Sequence, residues 1–255
     1  MKARAPAVLA LALWSGVAAG QAPDVSLRPQ ARPGAEAAQV VDPAPAPTMQ
    51  RERKGLFQSL RPKKRSKETE RQAKARDAER AKGAVCGDLD IQGVVVGPVP
   101  GRIAGCGIEN AVKVRAVSGL PLSQEALMDC TTAKALKSWV DNGVKPAVGS
   151  LGGGPKSLYV MAHYICRTRN NQPGGKISEH GKGRAIDIGG IRLQDDSRIL
   201  VAMDWNKGQK GRALKQMHRA ACGPFGTVLG PDGDRFHQDH FHMDTARYRS
   251  GSYCR

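Results

Sequence analysis

Two short segments carry most of the side chains in this chain that could hold a metal ion. Ser178-Glu-His180-Gly-Lys-Gly-Arg-Ala-Ile-Asp187 and His237-Gln-Asp239-His240-Phe-His242 contain four of the six histidines, together with carboxylates. Neutral imidazole and carboxylate suit a divalent ion with nitrogen and oxygen donors. Three such ligands leave a fourth position for a reactive water, the arrangement of a catalytic zinc rather than a structural one. A structural zinc commonly takes thiolates in a closed tetrahedron, and the cysteines here are better read as disulfides. The helix-borne H-E-x-x-H pattern of many zinc peptidases is absent. An iron site built from two histidines and one carboxylate has the same ligand count and is the alternative.

Spacing constrains how these residues meet. On a helix, His180 and Asp187 would lie about 10 Å apart along the axis, whereas zinc donors sit about 2.0–2.1 Å from their ion. The segment must therefore turn back on itself, and Gly181 and Gly183 permit such a turn. From Arg184 the pattern alternates, so Ile186 and Ile188 enter a core and Asp187 lies on the opposite face of a strand. The second segment alternates likewise, with Phe241 and Met243 inward and His240, His242 and Asp244 on the other face. His242 is the expected third ligand after His180 and Asp187. His240 and His237 are then expected beside the metal, moving protons or stabilising an oxyanion, with Asp239 or another carboxylate orienting an imidazole. His163 and His218 are expected to be packed or satisfied histidines without a role in the site.

The elements that position these residues occupy only part of the chain. Residues 1–20 show a basic start, an apolar run and small residues at the end, the pattern of a secretory signal. The run from Ala7 to Ala19 is short of the roughly 20 residues that span a bilayer. Residues 21–82 are expected to be a disordered linker, first rich in Pro and Ala and then basic. Within it, residues 51–82 hold 13 Lys or Arg against 5 Asp or Glu, a charge suited to an anionic envelope polymer or a membrane surface. Nucleic acid is not an expected partner, because no aromatic platform is interleaved with the charge and an exported protein rarely meets it. Any helix over 66–82 would be solvent-exposed and marginal, since no apolar stripe runs along it.

Residues 83–255 form the expected folded domain, periplasmic or secreted. All six cysteines fall there, an even number that implies three disulfides in an oxidising compartment. Sequence does not choose among the fifteen pairings, although Cys86 with Cys106 and Cys222 with Cys254 would be local closures. The three- and four-residue recurrence of Ala126, Cys130, Ala133, Leu136 and Val140 predicts a helix capped by Ser123, running to about Asn142 and stopped at Gly143. A second helix is predicted from about Arg212 to Ala221.

The pattern Ser178-x-His180-x-x-Gly183-x-Ala185-x-Asp187, followed by His237-x-x-His240-x-His242, resembles the LAS group of zinc peptidases. That group includes D-Ala-D-Ala carboxypeptidases and penicillin-insensitive murein endopeptidases. More closely, the stretch from Cys86 to Cys254, with Tyr164-Ile-Cys166-Arg167 and Thr227-Val-Leu-Gly-Pro231, resembles the bacterial extensin-like C-terminal family. The resemblance implies an α+β fold, a single disulfide-bonded domain whose small antiparallel sheet carries the zinc site, with helices packed on one side. It implies His180, Asp187 and His242 as ligands of Zn2+, His240 as base or transition-state stabiliser, and His237, Asp239 and Ser178 in support. Arg167 occupies roughly the place of an arginine that binds substrate or oxyanion in some relatives. Many LAS carboxypeptidases have a glutamate where this chain has a histidine. The implied activity is a D,D-endopeptidase or carboxypeptidase acting on the peptide part of peptidoglycan. The alternative is a noncatalytic peptidoglycan-binding module that keeps the metallopeptidase fold.

Overall fold

The structure, a computed structural model, describes residues 66–248 and 250–255. The expected signal segment and most of the expected linker and basic run lie outside the described residues. The first described element is helix α1, Lys67–Lys82, none of whose residues is buried. Ser66 caps it by accepting from the Thr69 amide at 3.1 Å. Acidic Glu68 and Glu70 in the first turn and basic Arg80 and Lys82 in the last complement the helix dipole. The helix thus carries its own start and stop signals and lies on the solvent side, as its missing apolar stripe requires, with Arg80 near its end paired to Asp90.

From Ala84 the chain builds a meander: β1 (Ala84–Val85), β2 (Asp88–Pro100), β3 (Gly107–Val117) and β4 (Leu120–Asp129). Further along come β5 (Pro155–Ala162), β6 (Ala185–Leu193), β7 (Arg198–Leu200), β8 (Thr227–Leu229), β9 (Phe241–Asp244) and β10 (Tyr253–Cys254). The ten strands follow the order β1-β2-β3-β4-β5-β6-β9-β8-β10, with β7 paired to β6. The α+β class is as expected, but the sheet is neither small nor wholly antiparallel. β4 runs parallel to β5, and β8 parallel to β10.

The predicted helix from Ser123 is corrected. Residues through Asp129 are strand β4, because Leu120, Leu122, Ala126 and Met128 bury their side chains while the backbone pairs with β3. The apolar spacing fitted either period, and cross-strand pairing decided it. Helix α2 then spans Cys130–Trp139, capped by the Asp129 carboxylate, which accepts from the Thr132 amide at 2.7 Å. Nor does Gly143 stop the helix. A π-helical turn, Val140–Val144, leads into α3, Lys145–Val148. A β-carbon on Gly143 would stand 2.9 Å from Ala220 and 3.0 Å from Trp139, so glycine there serves the close approach of another helix. That helix, α5, spans Gly208–Ala221 and follows the short α4, Val201–Asp204. It buries Leu214, Met217 and Ala221 as predicted, starting a turn earlier than expected. Trp139 donates to the Met217 carbonyl at 2.8 Å across this packing.

The disulfides are Cys86–Cys130, Cys106–Cys166 and Cys222–Cys254. The expected Cys222–Cys254 closure is present, whereas Cys86 does not pair with Cys106. Thirteen residues of β2, at about 3.3 Å each, carry the chain far from Cys86 before Cys106 is reached. Three bridges and no free cysteine are the cysteine usage that an oxidising compartment favours. Among the described residues, no helix is long and apolar enough to cross a membrane.

Candidate metal centre

β6 and β9 form the floor of the site. They pair antiparallel with Asp187 directly opposite His242. Ile186, Ile188, Phe241 and Met243 are buried in the core, so strand alternation turns Asp187 and His242 to the other face. His180 arrives from a 3-10 turn, Glu179–Lys182, ended by Gly183 at φ 67°. A β-carbon there would come within 2.3 Å of Ile108; glycine is therefore required for both conformation and space. Ser178 is buried and starts the turn, its carbonyl accepting from the Gly181 amide at 2.9 Å.

Three donor atoms converge. His180 Nε2 lies 3.1 Å from His242 Nδ1 and 3.2 Å from Asp187 Oδ1, and His242 Nδ1 lies 3.0 Å from that same oxygen. A tetrahedral ion with bonds of 2.0–2.1 Å has an edge of about 3.3 Å, so the triangle fits one face of such a site. The partners outside the triangle fix the tautomers. His180 Nδ1 is 2.7 Å from the His163 carbonyl, which can only accept, so the proton belongs on Nδ1 and Nε2 presents a lone pair. His242 Nε2 is 3.2 Å from Asp244 Oδ2, which likewise leaves Nδ1 facing inward. The donor set therefore suits a divalent ion and could hold one.

Burial pushes the His242 imidazole down, but Asp187 and Asp244 outweigh it and raise the pKa to about 9. Burial also raises the Asp187 carboxyl, and its contacts with the His180 and His242 imidazoles override this to hold it well below the usual carboxylate range.

The other expected residues surround the triangle. His240 Nε2 is 3.6 Å from the second oxygen of Asp187, while its Nδ1 lies 2.7 Å from Asp239. The His237 ring lies edge-on to His240 at 5.3 Å and tilted to His242 at 5.5 Å, with Nδ1 2.7 Å from Asp234. Burial holds the His237 imidazole below its ordinary pKa against the pull of Asp234. Arg167 lines the same cavity, of about 610 Å³, and its carbonyl accepts from the Ser178 amide at 3.0 Å. His218 lies apart, packed on Trp205 and Phe241 with Nε2 3.1 Å from the Arg255 carbonyl. His163 contributes no side chain to the triangle, but its carbonyl orients His180.

Several contributors carried no separate sequence signal. Asp244 had been placed on the site face by alternation, and its grip on His242 is new. Asp234, Arg169 and Tyr248 also line the cavity and come from segments whose spacing announces nothing, and Glu179 lies inside the first histidine segment without having been given a role.

With this geometry, residues 71–255 match the family model described as extensin-like protein C-terminus. The chain belongs to that family, and the match begins inside α1. No curated protein and no solved structure matches.

Proposed function

We propose that the domain is an exported, zinc-dependent peptidase acting on the peptide part of peptidoglycan, as a D,D-endopeptidase or a carboxypeptidase. The observation that carries this reading is the convergence of three lone pairs, on His180, Asp187 and His242, in a cavity that also holds two further imidazoles. Zinc bound there would supply an activated water at neutral pH and polarise the scissile carbonyl. The resemblance of the two histidine segments to the LAS peptidases supports the choice of ion and reaction. A net charge of +8 over residues 83–255 suits an acidic wall polymer.

The chain's own residues divide the remaining work. Asp239 holds His240 through Nδ1 and leaves Nε2 to accept a proton from the attacking water and return it to the leaving amine. His237, steadied by Asp234, is close enough to share that transfer. The Arg167 guanidinium holds a substrate carboxylate or the developing oxyanion. The exposed helix α1, the last part of the basic run 51–82, offers its lysines and arginines to an anionic envelope polymer or a membrane surface. Release of new muropeptides from purified sacculi by the zinc-loaded protein, and not by His240→Ala, tests the reading.

A further inference from the structure

Aromatic side chains are scarce in this chain, three Trp, four Tyr and four Phe in 255 residues, and the exposed ones gather at the metal site. Among the described residues the exposed aromatics are Tyr159, Phe236, Tyr248 and Tyr253, and all but Tyr159 line the cavity that holds the donor triangle. They reach it from different segments. Phe236 directly precedes His237, and its amide donates to Asp234 Oδ1 at 2.7 Å, the same oxygen that holds the His237 ring. Tyr248 donates its hydroxyl to Glu179, buried beside His180, and accepts from Arg169 Nη2 at 2.5 Å. Tyr253 pairs with Thr227 across β10 and β8, and Thr227 pairs with Asp244 across β8 and β9. Register partners share a face of the sheet, so Tyr253 stands on the face of Asp244, two strand spacings or about 10 Å away.

Each of the three rings is braced by an arginine. The guanidinium of Arg235 lies 4.9 Å from the Phe236 ring centre, that of Arg169 5.3 Å from Tyr248 and that of Arg255 5.8 Å from Tyr253. A cation over a ring face is attracted to it, which limits how the ring can turn. Phe236 and Tyr253 line the cavity while Arg235 and Arg255 do not, so these two arginines back their rings from outside and leave the inner faces to a ligand. The same lining carries neutral polar groups, the amides of Asn170 and Asn171 and the hydroxyl of Thr227. Flat apolar faces beside neutral donors and acceptors match a pyranose ring, whose C–H face is bordered by hydroxyl and acetamido groups. An apolar peptide side chain would use the rings alone.

We propose that Phe236, Tyr248 and Tyr253 form a saccharide subsite, which takes an N-acetylated hexose ring of the glycan strand while the attached peptide reaches the metal. The inference rests on the peptidase reading and narrows its substrate to peptide still joined to sugar. The span of about 10 Å from Tyr253 to Asp244 takes about three extended residues, which sets the length of peptide between the sugar and the bond that is cut.

The test uses the full-length zinc-loaded protein and soluble probes in three forms. One is a disaccharide-linked stem peptide, one is the same peptide released from its sugar, and one carries an apolar acyl group where the sugar was. Dissociation constants are measured by calorimetry, and KM and kcat wherever turnover occurs. The wild type is expected to bind the sugar-linked form about five- to thirtyfold more tightly than either other probe, the range for a well-packed aromatic contact. Tyr253→Ala and Phe236→Ala should each collapse most of that ratio through KM or Kd, with zinc stoichiometry retained. Tyr253→Phe and Phe236→Tyr keep the rings and should keep the ratio. Equal binding of sugar-linked and free peptide by the wild type, or a ratio untouched by both alanine variants, overturns the inference even where peptides are cut. Binding of the acyl form as tight as the sugar form assigns the rings to apolar groups and overturns it too. A sugar preference lost in the alanine variants, with no hydrolysis by the wild type, upholds this subsite and defeats the peptidase reading alone.

Discussion

Asp187 and His242 are direct register partners across β6 and β9, and their facing atoms, Oδ1 and Nδ1, stand 3.0 Å apart. One edge of the candidate metal site is thus set by sheet pairing rather than by loops. A loop-borne His180 completes the triangle, held by the carbonyl of His163.

His180→Ala, Asp187→Ala and His242→Ala should each abolish tight binding of one zinc per chain, read by metal analysis after dialysis. Asp244→Asn keeps all three ligands and removes only the charge behind His242. Loss of such an outer partner typically costs about 10- to 100-fold in metal affinity, and a competition assay with a chromogenic chelator should show a loss in that range.

Loading zinc should displace a proton from His242. The imidazole is held protonated up to about 9 by Asp187 and Asp244 against burial, and a ligand must be neutral. At pH 7, calorimetry in buffers of different ionisation enthalpy should report about one proton released per ion from this residue. The release should fade as pH rises through 9, and affinity should increase over the same span. Uptake with no proton release at pH 7 contradicts the placement of His242 in the triangle.

Gly183→Ala should damage the site through the turn. The added β-carbon meets Ile108 at 2.3 Å on a residue with φ 67°, and both the left-handed backbone and the overlap are unfavourable. A loss of about 1–3 kcal/mol in chemical denaturation is expected, with weaker zinc binding. Gly174→Ala also has a positive φ but nothing within 4 Å of the added atom, so it should cost less and leave zinc binding intact.

The Cys106–Cys166 bridge ties the end of the β2–β3 hairpin to the segment that carries His163 and Arg167. Within that segment the Ile165 amide lies 3.4 Å from the His180 carbonyl. Replacing both cysteines by serine should cost roughly 2–4 kcal/mol of stability. Zinc affinity should fall as well, because the His163 carbonyl loses its anchor. Unchanged affinity at a lowered melting temperature would show that the bridge serves the fold alone.

Much of the site was legible in the sequence because it sits on strands. Alternation in Ile186-Asp187-Ile188 and Phe241-His242-Met243 separates the core side chains from Asp187 and His242, as the structure has them, and Gly183 marks the turn that returns His180. Long-range closure was not legible. Leu120 to Met128 satisfies a strand and a helix pattern in part, and only pairing with β3 separates them. The partner of Cys86 depends on how far β2 runs before it turns. Arg169 and Tyr248 lie 79 positions apart, and no local pattern links an arginine in one loop to a tyrosine in another. Asp244 lay within reach of period-two reasoning, but its contact with His242 needed the rotamers.

Hydrolysis of purified sacculi tests the peptidase activity most directly. Zinc-loaded wild type and His240→Ala are incubated with them, and the soluble and digested products are identified by mass. The account predicts that wild type cuts a peptide bond, releasing cross-link-cleaved or D-Ala-shortened muropeptides, and that His240→Ala retains its zinc but loses about 100- to 10,000-fold in rate. Unchanged muropeptides after long incubation with the zinc-loaded wild type, with the protein still pelleting on the sacculi, would contradict it and leave a wall-binding module in its place.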